Sequence, residues 1–104
     1  MITDRILRAL RDLAASFAAA EMLVLCYHQI RSRARFADQM DALSERGYSV
    51  LSLPQFTEWL NGAPPPSRPA ALLTFDGCYA DQLENAVPVL DSLKLPATFF
   101  PASA

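Results

Sequence analysis

Apolar runs of strand length alternate with segments of helical periodicity along most of the chain. The runs are continuous and rich in branched and aromatic residues, as in buried strands, and they cover residues 22–30, 48–53, 70–76 and 95–100. Between the first two runs, Phe36, Met40 and Leu43 recur at helical spacing. This pattern stops at Gly47, a residue that favours the end of a helix. We therefore predict a strand, a helix over residues 36–46 and a second strand, in that order.

Ser52 marks the start of a short second helix. Its hydroxyl can cap the first turn, and Pro54 is tolerated there because the first helical N–H groups have no partner within the helix. The helix is predicted to run to residue 60 and to end before Gly62. Residues 63–69 contain four prolines and are predicted to form a loop.

A third helix is predicted over residues 80–93, where Pro88 should kink it or split its first turns. The order of strands and helices is then that of right-handed βαβ units around a parallel sheet. A closed barrel of eight such units takes roughly 250 residues, and this chain has 104. We therefore predict the α/β class and a partial parallel (β/α) barrel of about four βα units.

The first 21 residues have a different pattern. Apolar residues recur there at spacings of four and three among charged ones, which predicts an amphipathic helix; they are Ile2, Ile6, Leu10, Leu13 and Phe17. Such a helix can pack on the domain or bind a membrane surface or partner, and the alanines of residues 14–20 leave a processed export signal as an alternative. We expect a helix at 1–21, an incomplete domain at 22–104, no membrane span and, by default, a cytoplasmic location.

Composition narrows the class of function. Hydrophobic residues make up 52% of the chain and charged residues 19%, which is typical of a globular protein. The net charge of -2 gives no general attraction to nucleic acid. Two cysteines and one histidine do not make a disulfide framework or a zinc finger. We expect Cys26 and Cys78 to be free thiols, with Cys78 nearer to solvent.

Chemistry in such folds lies at the carboxyl ends of the strands. That rule selects His28, which follows the first apolar run, and Asp76, which ends the third. It also selects the loop of Gly77, Cys78 and Tyr79. This choice depends on position alone.

Residues 74–81 read TFDGCYAD, and this segment resembles the TFDDGY motif of polysaccharide deacetylases with a NodB homology domain, the carbohydrate esterase family 4 type. Upstream, residues 26–30 (CYHQI) resemble a YHxI strand of that family. Downstream, residues 86–90 (AVPVL) and 96–100 (PATFF) resemble the helix and the strand that follow the motif. The likeness extends from about residue 22 to residue 101 and covers the N-terminal portion of the domain.

The resemblance implies a fold, a reaction and a set of roles. Enzymes of this family are hydrolases of carbon–nitrogen bonds that remove N-acetyl groups from amino-sugar polymers, using a divalent, zinc-like metal and a carboxylate base. Asp76 matches the base, and His28 and Tyr79 are expected at the rim of the site. The implied partner is an N-acetylated polysaccharide.

This sequence departs from the family pattern at the metal ligands. Gly77 stands where the family has a second aspartate, and Cys78 stands where it has glycine. The HxxxH motif is absent, because His28 is the only histidine. A hydrolytic zinc site uses about three protein ligands. We therefore expect no zinc site in this chain alone, although Cys78 or Asp81 could be recruited as a ligand.

Plainer roles are open for the same residues. Asp76 can be a loop or helix-capping carboxylate, and His28 can orient Asp76 through a hydrogen bond or simply be a satisfied polar residue. Trp59 is expected to pack on its short helix.

Three functions remain open at this point. The chain can be part of a deacetylase that is inactive on its own, a non-catalytic module that binds a glycan or a partner, or a small structural α/β module. Open sheet edges would also allow self-association.

Overall fold

A computed structural model describes residues 22–64 and 69–101 of the chain. The strands are β1 (Met22–Tyr27), β2 (Ser49–Leu51), β3 (Ala70–Asp76) and β4 (Thr98–Phe100). The helices are α1 (Arg33–Glu45), α2 (Leu53–Leu60), a π-helical turn (Gln82–Ala86) and α3 (Val87–Leu93). The predicted helix at 1–21 and the middle of the proline loop lie outside the described residues, so the proposed domain division stays a prediction.

Strand β3 is the centre of a parallel sheet. It pairs with β1 along six residues, from Met22 opposite Ala70 to Tyr27 opposite Phe75. Its other edge pairs with β2 in the first half and with β4 in the second half. The predicted parallel α/β architecture, that of part of a (β/α) barrel, is confirmed. The strands do not lie in chain order, however. β1 and β3 are direct neighbours, and β2 lies on the other side of β3.

One face of the sheet packs against the helices. Alternate residues of β1 and β3 point to this face and form a core with α1 and α3; the buried members are Leu23, Leu25, Ala71, Leu73, Phe75, Phe36, Met40, Leu43, Val89 and Leu90. Aromatic rings form its upper layer. Phe75 stacks between Tyr27 and Phe99, with ring centroids 5.2 Å and 4.7 Å away, and Phe36 meets Phe75 edge to face.

The other face carries the remaining residues of the same strands. Cys26 lies opposite Thr74, and Phe100 lies opposite Asp76. Val24 and Cys26 are exposed on this face of β1, whereas Thr74 on the central strand is buried. This second face is therefore the one that presents Asp76 and its neighbours.

Local signals set the helix boundaries. Ser52 accepts a hydrogen bond from the Gln55 backbone N–H, and the Gln55 side chain accepts one from the Ser52 backbone N–H. This reciprocal cap, together with Pro54 in the first turn, confirms the predicted start of α2. Trp59 contacts Phe56 with ring centroids 5.7 Å apart, as expected for a packing role.

The predicted third helix is divided, as Pro88 indicated. A π-helical turn occupies Gln82–Ala86, and α3 begins at Val87 with Pro88 in its first turn. Pro88 has no N–H to donate to the carbonyl of Glu84 one turn earlier, and that carbonyl accepts a hydrogen bond from Arg33 instead. Two strands are shorter than the apolar runs. β1 ends at Tyr27 because the next carbonyls bond to side chains, and β4 begins only after Pro96, which cannot donate to a ladder.

None of the helices in residues 22–64 and 69–101 combines the length and apolar character needed to cross a bilayer.

We expect the chain to self-associate at micromolar concentration, because the outer edge of β1 has no strand partner among the described residues. Val24→Lys should weaken association on the order of tenfold, since a lysine charge on an edge strand opposes pairing with a second chain. Leu83→Lys is the control, because Leu83 is exposed on the π-helical turn. Sedimentation velocity over a concentration series measures the effect. A monomer that unfolds cooperatively at these concentrations would contradict it.

Candidate functional site

Asp76 and His28 lie at one rim of the sheet. Asp76 is the last residue of β3, and it is partly buried. His28 follows the last paired residue of β1, Tyr27, which lies opposite Phe75. Because the two strands are parallel and in this register, their carboxyl ends coincide. The expectation that the YHxI and TFD segments line one rim is confirmed.

The side-chain amide of Gln82 joins these two strand ends. Its Nε2 donates to the backbone carbonyl of His28 at 2.7 Å and to that of Asp76 at 2.8 Å. Only 1% of the Gln82 side chain is exposed. Both partners are acceptors, so the nitrogen and not the oxygen must face them. The other amide atom, Oε1, is buried without a hydrogen-bond partner among the described residues.

The π-helical turn also holds the loop that follows β1. Asn85 Nδ2 donates to the carbonyl of Ile30 at 2.7 Å, and Arg33 Nη2 donates to the carbonyl of Glu84. The turn that follows the TFDGCY segment therefore fixes three points on residues 28–33. Such turns place side chains out of normal helical phase and are frequent at functional sites.

Thr74, within the same segment, ties the two strands one step below the rim. Its hydroxyl donates to the carbonyl of Leu25 at 3.1 Å, and the contact is buried. The TFD residues thus have separate tasks. Thr74 binds β1, Phe75 enters the aromatic core, and Asp76 is left at the rim.

The loop after Asp76 turns in the left-handed region. Gly77 has φ +87° and Cys78 has φ +49°. Glycine adopts this region without strain, whereas the conformation costs about 1–2 kcal/mol at Cys78 because it has a Cβ. The Gly77 N–H donates to the carbonyl of Phe100 at 3.0 Å, and the Gln82 N–H donates to the carbonyl of Tyr79 at 3.0 Å. The loop is therefore fastened at both ends, and Tyr79 is left exposed at the rim.

A hydrogen bond between the His28 imidazole and the Asp76 carboxylate, one of the two roles left open for His28, does not form in the described part of the chain. His28 is exposed, and its link to Asp76 runs through backbone carbonyls and Gln82. His28 is a rim residue by position, and any direct action on Asp76 stays a hypothesis.

The donor set does not fit a metal ion. Within residues 22–64 and 69–101, no three side chains of His, Cys, Asp or Glu come together as a ligand group. Cys78 and Asp81, the two residues that could have been recruited, do not complete a set with Asp76 and His28. A zinc site uses about three protein ligands, so these residues cannot supply one by themselves.

Both cysteines are free, as predicted, and both are exposed. Cys26 is exposed because it lies on the face of β1 that points away from the helices. Which of the two thiols is nearer to solvent stays a prediction.

Sequence reasoning missed two residues of the site. Phe100 lies directly opposite Asp76 across the sheet, and Gln82 joins the strand ends. The signal for Gln82 was a polar residue just after the motif in a segment expected to pack on the sheet. No sequence pattern indicated that Phe100 lies next to Asp76, because that pairing is set by the register of β3 and β4.

Gln82→Leu is expected to lower the free energy of unfolding by about 2 kcal/mol, since it leaves two partly buried carbonyls without their donor. Amide exchange at residues 28–32 should become faster. Gln29→Leu in the same loop is the control, because Gln29 is exposed and should change stability by less than about 0.5 kcal/mol. Denaturant titration and hydrogen exchange test both variants. Equal losses in the two would show that Gln82 does not hold the rim.

Comparison with known proteins places this geometry in a family. Residues 63–104 match the family model described as polysaccharide deacetylase. The protein YxkH of Bacillus subtilis, assigned to the polysaccharide deacetylases, is 32% identical over 88 residues, which cover 78% of this chain and 32% of YxkH.

Two solved structures share the fold. IcaB from Ammonifex degensii is 32% identical with a TM-score of 0.71, and a de-N-acetylase from Aggregatibacter actinomycetemcomitans is 26% identical with a TM-score of 0.68. Each match covers 77% of this chain and 37% of the other. The chain thus spans about a third of the length of these relatives. The chain is similar to the polysaccharide deacetylase family and resembles the N-terminal portion of a NodB-type domain.

Proposed function

We propose that the rim around Asp76 contacts an N-acetylated amino-sugar polymer, and that the described residues bind this glycan without hydrolysing it on their own. The observation that carries the proposal is a partly exposed carboxylate at a strand end, with the exposed aromatic residues Phe100 on the neighbouring strand and Tyr79 in the following loop. The family of the chain supplies the class of ligand, since its relatives are polysaccharide deacetylases.

The surroundings of Asp76 suit a sugar ring. Tyr79 is 42% exposed and Phe100 is 45% exposed, and both lie beside Asp76, one in the following loop and one across the sheet. Binding sites for small polar ligands commonly combine apolar and aromatic walls with a few fixed polar groups. Aromatic rings can cover the C–H face of a sugar while the carboxylate accepts a hydrogen bond from an amide N–H or a hydroxyl.

Hydrolysis of an acetamide needs more than this rim offers. A base must activate water, and a second group must stabilise the charge that develops on the acetyl oxygen. Asp76 has the position of a base. The described donor set does not form a metal site, and deacetylation therefore depends on groups that these residues do not contain.

The proposal is tested by glycan binding and acetate release. Saturation-transfer NMR with tri-N-acetylchitotriose should show contact with the chain, and contact should fall when the trimer is de-N-acetylated. Asp76→Asn should weaken binding on the order of tenfold, because a hydrogen bond to a charged acceptor becomes one to a neutral acceptor. Asp91→Asn, exposed on α3, is the matched control.

Acetate release provides the second readout. The wild-type chain is expected to release no acetate from the trimer over repeated turnovers. Failure of the N-acetylated trimer to bind, or equal binding by Asp76→Asn and Asp91→Asn, would refute the proposed contact. Turnover that depends on Asp76 would refute the statement that the described residues do not hydrolyse the glycan.

A further inference from the structure

We propose that the ring of Tyr79 occupies the space that a side chain at position 77 would need, and that this ring, in place of a ligand carboxylate, contacts the sugar beside Asp76. The steric part depends only on the structure of the loop, whereas the sugar contact rests on the proposed function.

The ring of Tyr79 lies where a side chain at position 77 would begin. A Cβ atom built on Gly77 would lie 2.8 Å from Tyr79 Cε2 and 3.3 Å from both Cδ2 and Cζ. Real Cβ atoms essentially never show the first of these distances, so the ring would have to move. The φ of +87° is a second obstacle, because residues with a Cβ rarely adopt it.

Gly47 separates these two obstacles. Its φ of +79° is close to that of Gly77, but a Cβ built there meets nothing within 4 Å. Substitution at Gly47 therefore carries only the backbone penalty, whereas substitution at Gly77 carries the backbone penalty and the ring contact. The chain thus contains its own control for the steric part of the inference.

The position of Tyr79 is fixed by its backbone. The Tyr79 carbonyl accepts from the Gln82 N–H, and Gln82 in turn holds the carbonyls of His28 and Asp76. Displacement of the ring from Gly77 therefore requires rotation of the Tyr79 side chain. A carboxylate introduced by Gly77→Asp has to displace the ring and adopt a left-handed backbone at the same time.

This arrangement explains why the altered motif is more than the loss of one ligand. Position 77 carries no carboxylate, and an exposed aromatic ring lies in the space that a side chain there would need. The rim is then shaped to hold the apolar face of a sugar. Tyr79 is the residue that determines this preference.

A double-mutant cycle tests the steric part. Gly77→Ala and Gly47→Ala are each made with Tyr79 and with Tyr79→Ala, and the unfolding equilibrium constant is measured by denaturant titration. Gly47→Ala should have the same effect in both backgrounds. Gly77→Ala should shift the constant several-fold more with Tyr79 present than with Tyr79→Ala. Equal effects of Gly77→Ala in both backgrounds would overturn the inference.

A second measurement does not require a destabilised variant. In the wild-type protein, one Gly77 α-proton should show a ring-current shift by NMR that disappears in Tyr79→Leu. Unchanged Gly77 α-proton shifts in Tyr79→Leu would also overturn the steric part.

The sugar contact has its own test. Tyr79→Leu should reduce saturation transfer to tri-N-acetylchitotriose several-fold, and Leu83→Ala, an exposed apolar change on the π-helical turn, should not. Equal binding by wild type and Tyr79→Leu would overturn the contact. If no variant and no wild-type sample binds the trimer, the proposed function fails, while coupling between Gly77 and Tyr79 still decides the steric part separately.

Discussion

Two backbone carbonyls at neighbouring strand ends, those of His28 and Asp76, share one donor, the side-chain amide of Gln82. Parallel strands that end together leave carbonyls with no ladder partner, and a buried carbonyl without a donor is costly. The amide satisfies both groups and fixes the spacing of β1 and β3 at the rim. The backbone N–H of the same residue donates to the carbonyl of Tyr79, so Gln82 contacts both strand ends and the loop between them and the π-helical turn.

Strand β3 explains why a short motif can carry so much of the site. The last three residues of β3 have separate roles. Thr74 donates a hydrogen bond to β1, Phe75 stacks in the aromatic core, and Asp76 lies on the face away from the helices. Aromatic stacking rigidifies the strand below the rim, while the loop above it adopts a left-handed path that suits glycine. The same strand thus supports a carboxylate at the rim, beside a loop whose Cys78 is not part of a group of three possible metal ligands in the described residues.

The sequence predicted features that are set by neighbouring residues. The strand β3, the cap at Ser52 and the split at Pro88 follow from local patterns and were confirmed. Strand order and the exposure of Cys26 depend on pairing between distant segments, which apolar runs do not encode. The amide of Gln82 was missed for the same reason, since its partners lie six and 54 residues away along the chain. The resemblance identified Asp76 and Gly77, but only coordinates could show the Tyr79 ring beside Gly77.

Asp76 places a carboxylate at the rim, and the described residues do not bring three metal-binding side chains together. Calorimetric titration of the whole chain with Zn²⁺ measures what this arrangement can bind. We expect an affinity no greater than that of an exposed His–Asp pair, because the described donors do not form a group of three. A stoichiometric, submicromolar zinc site that is abolished by Asp76→Ala would contradict it.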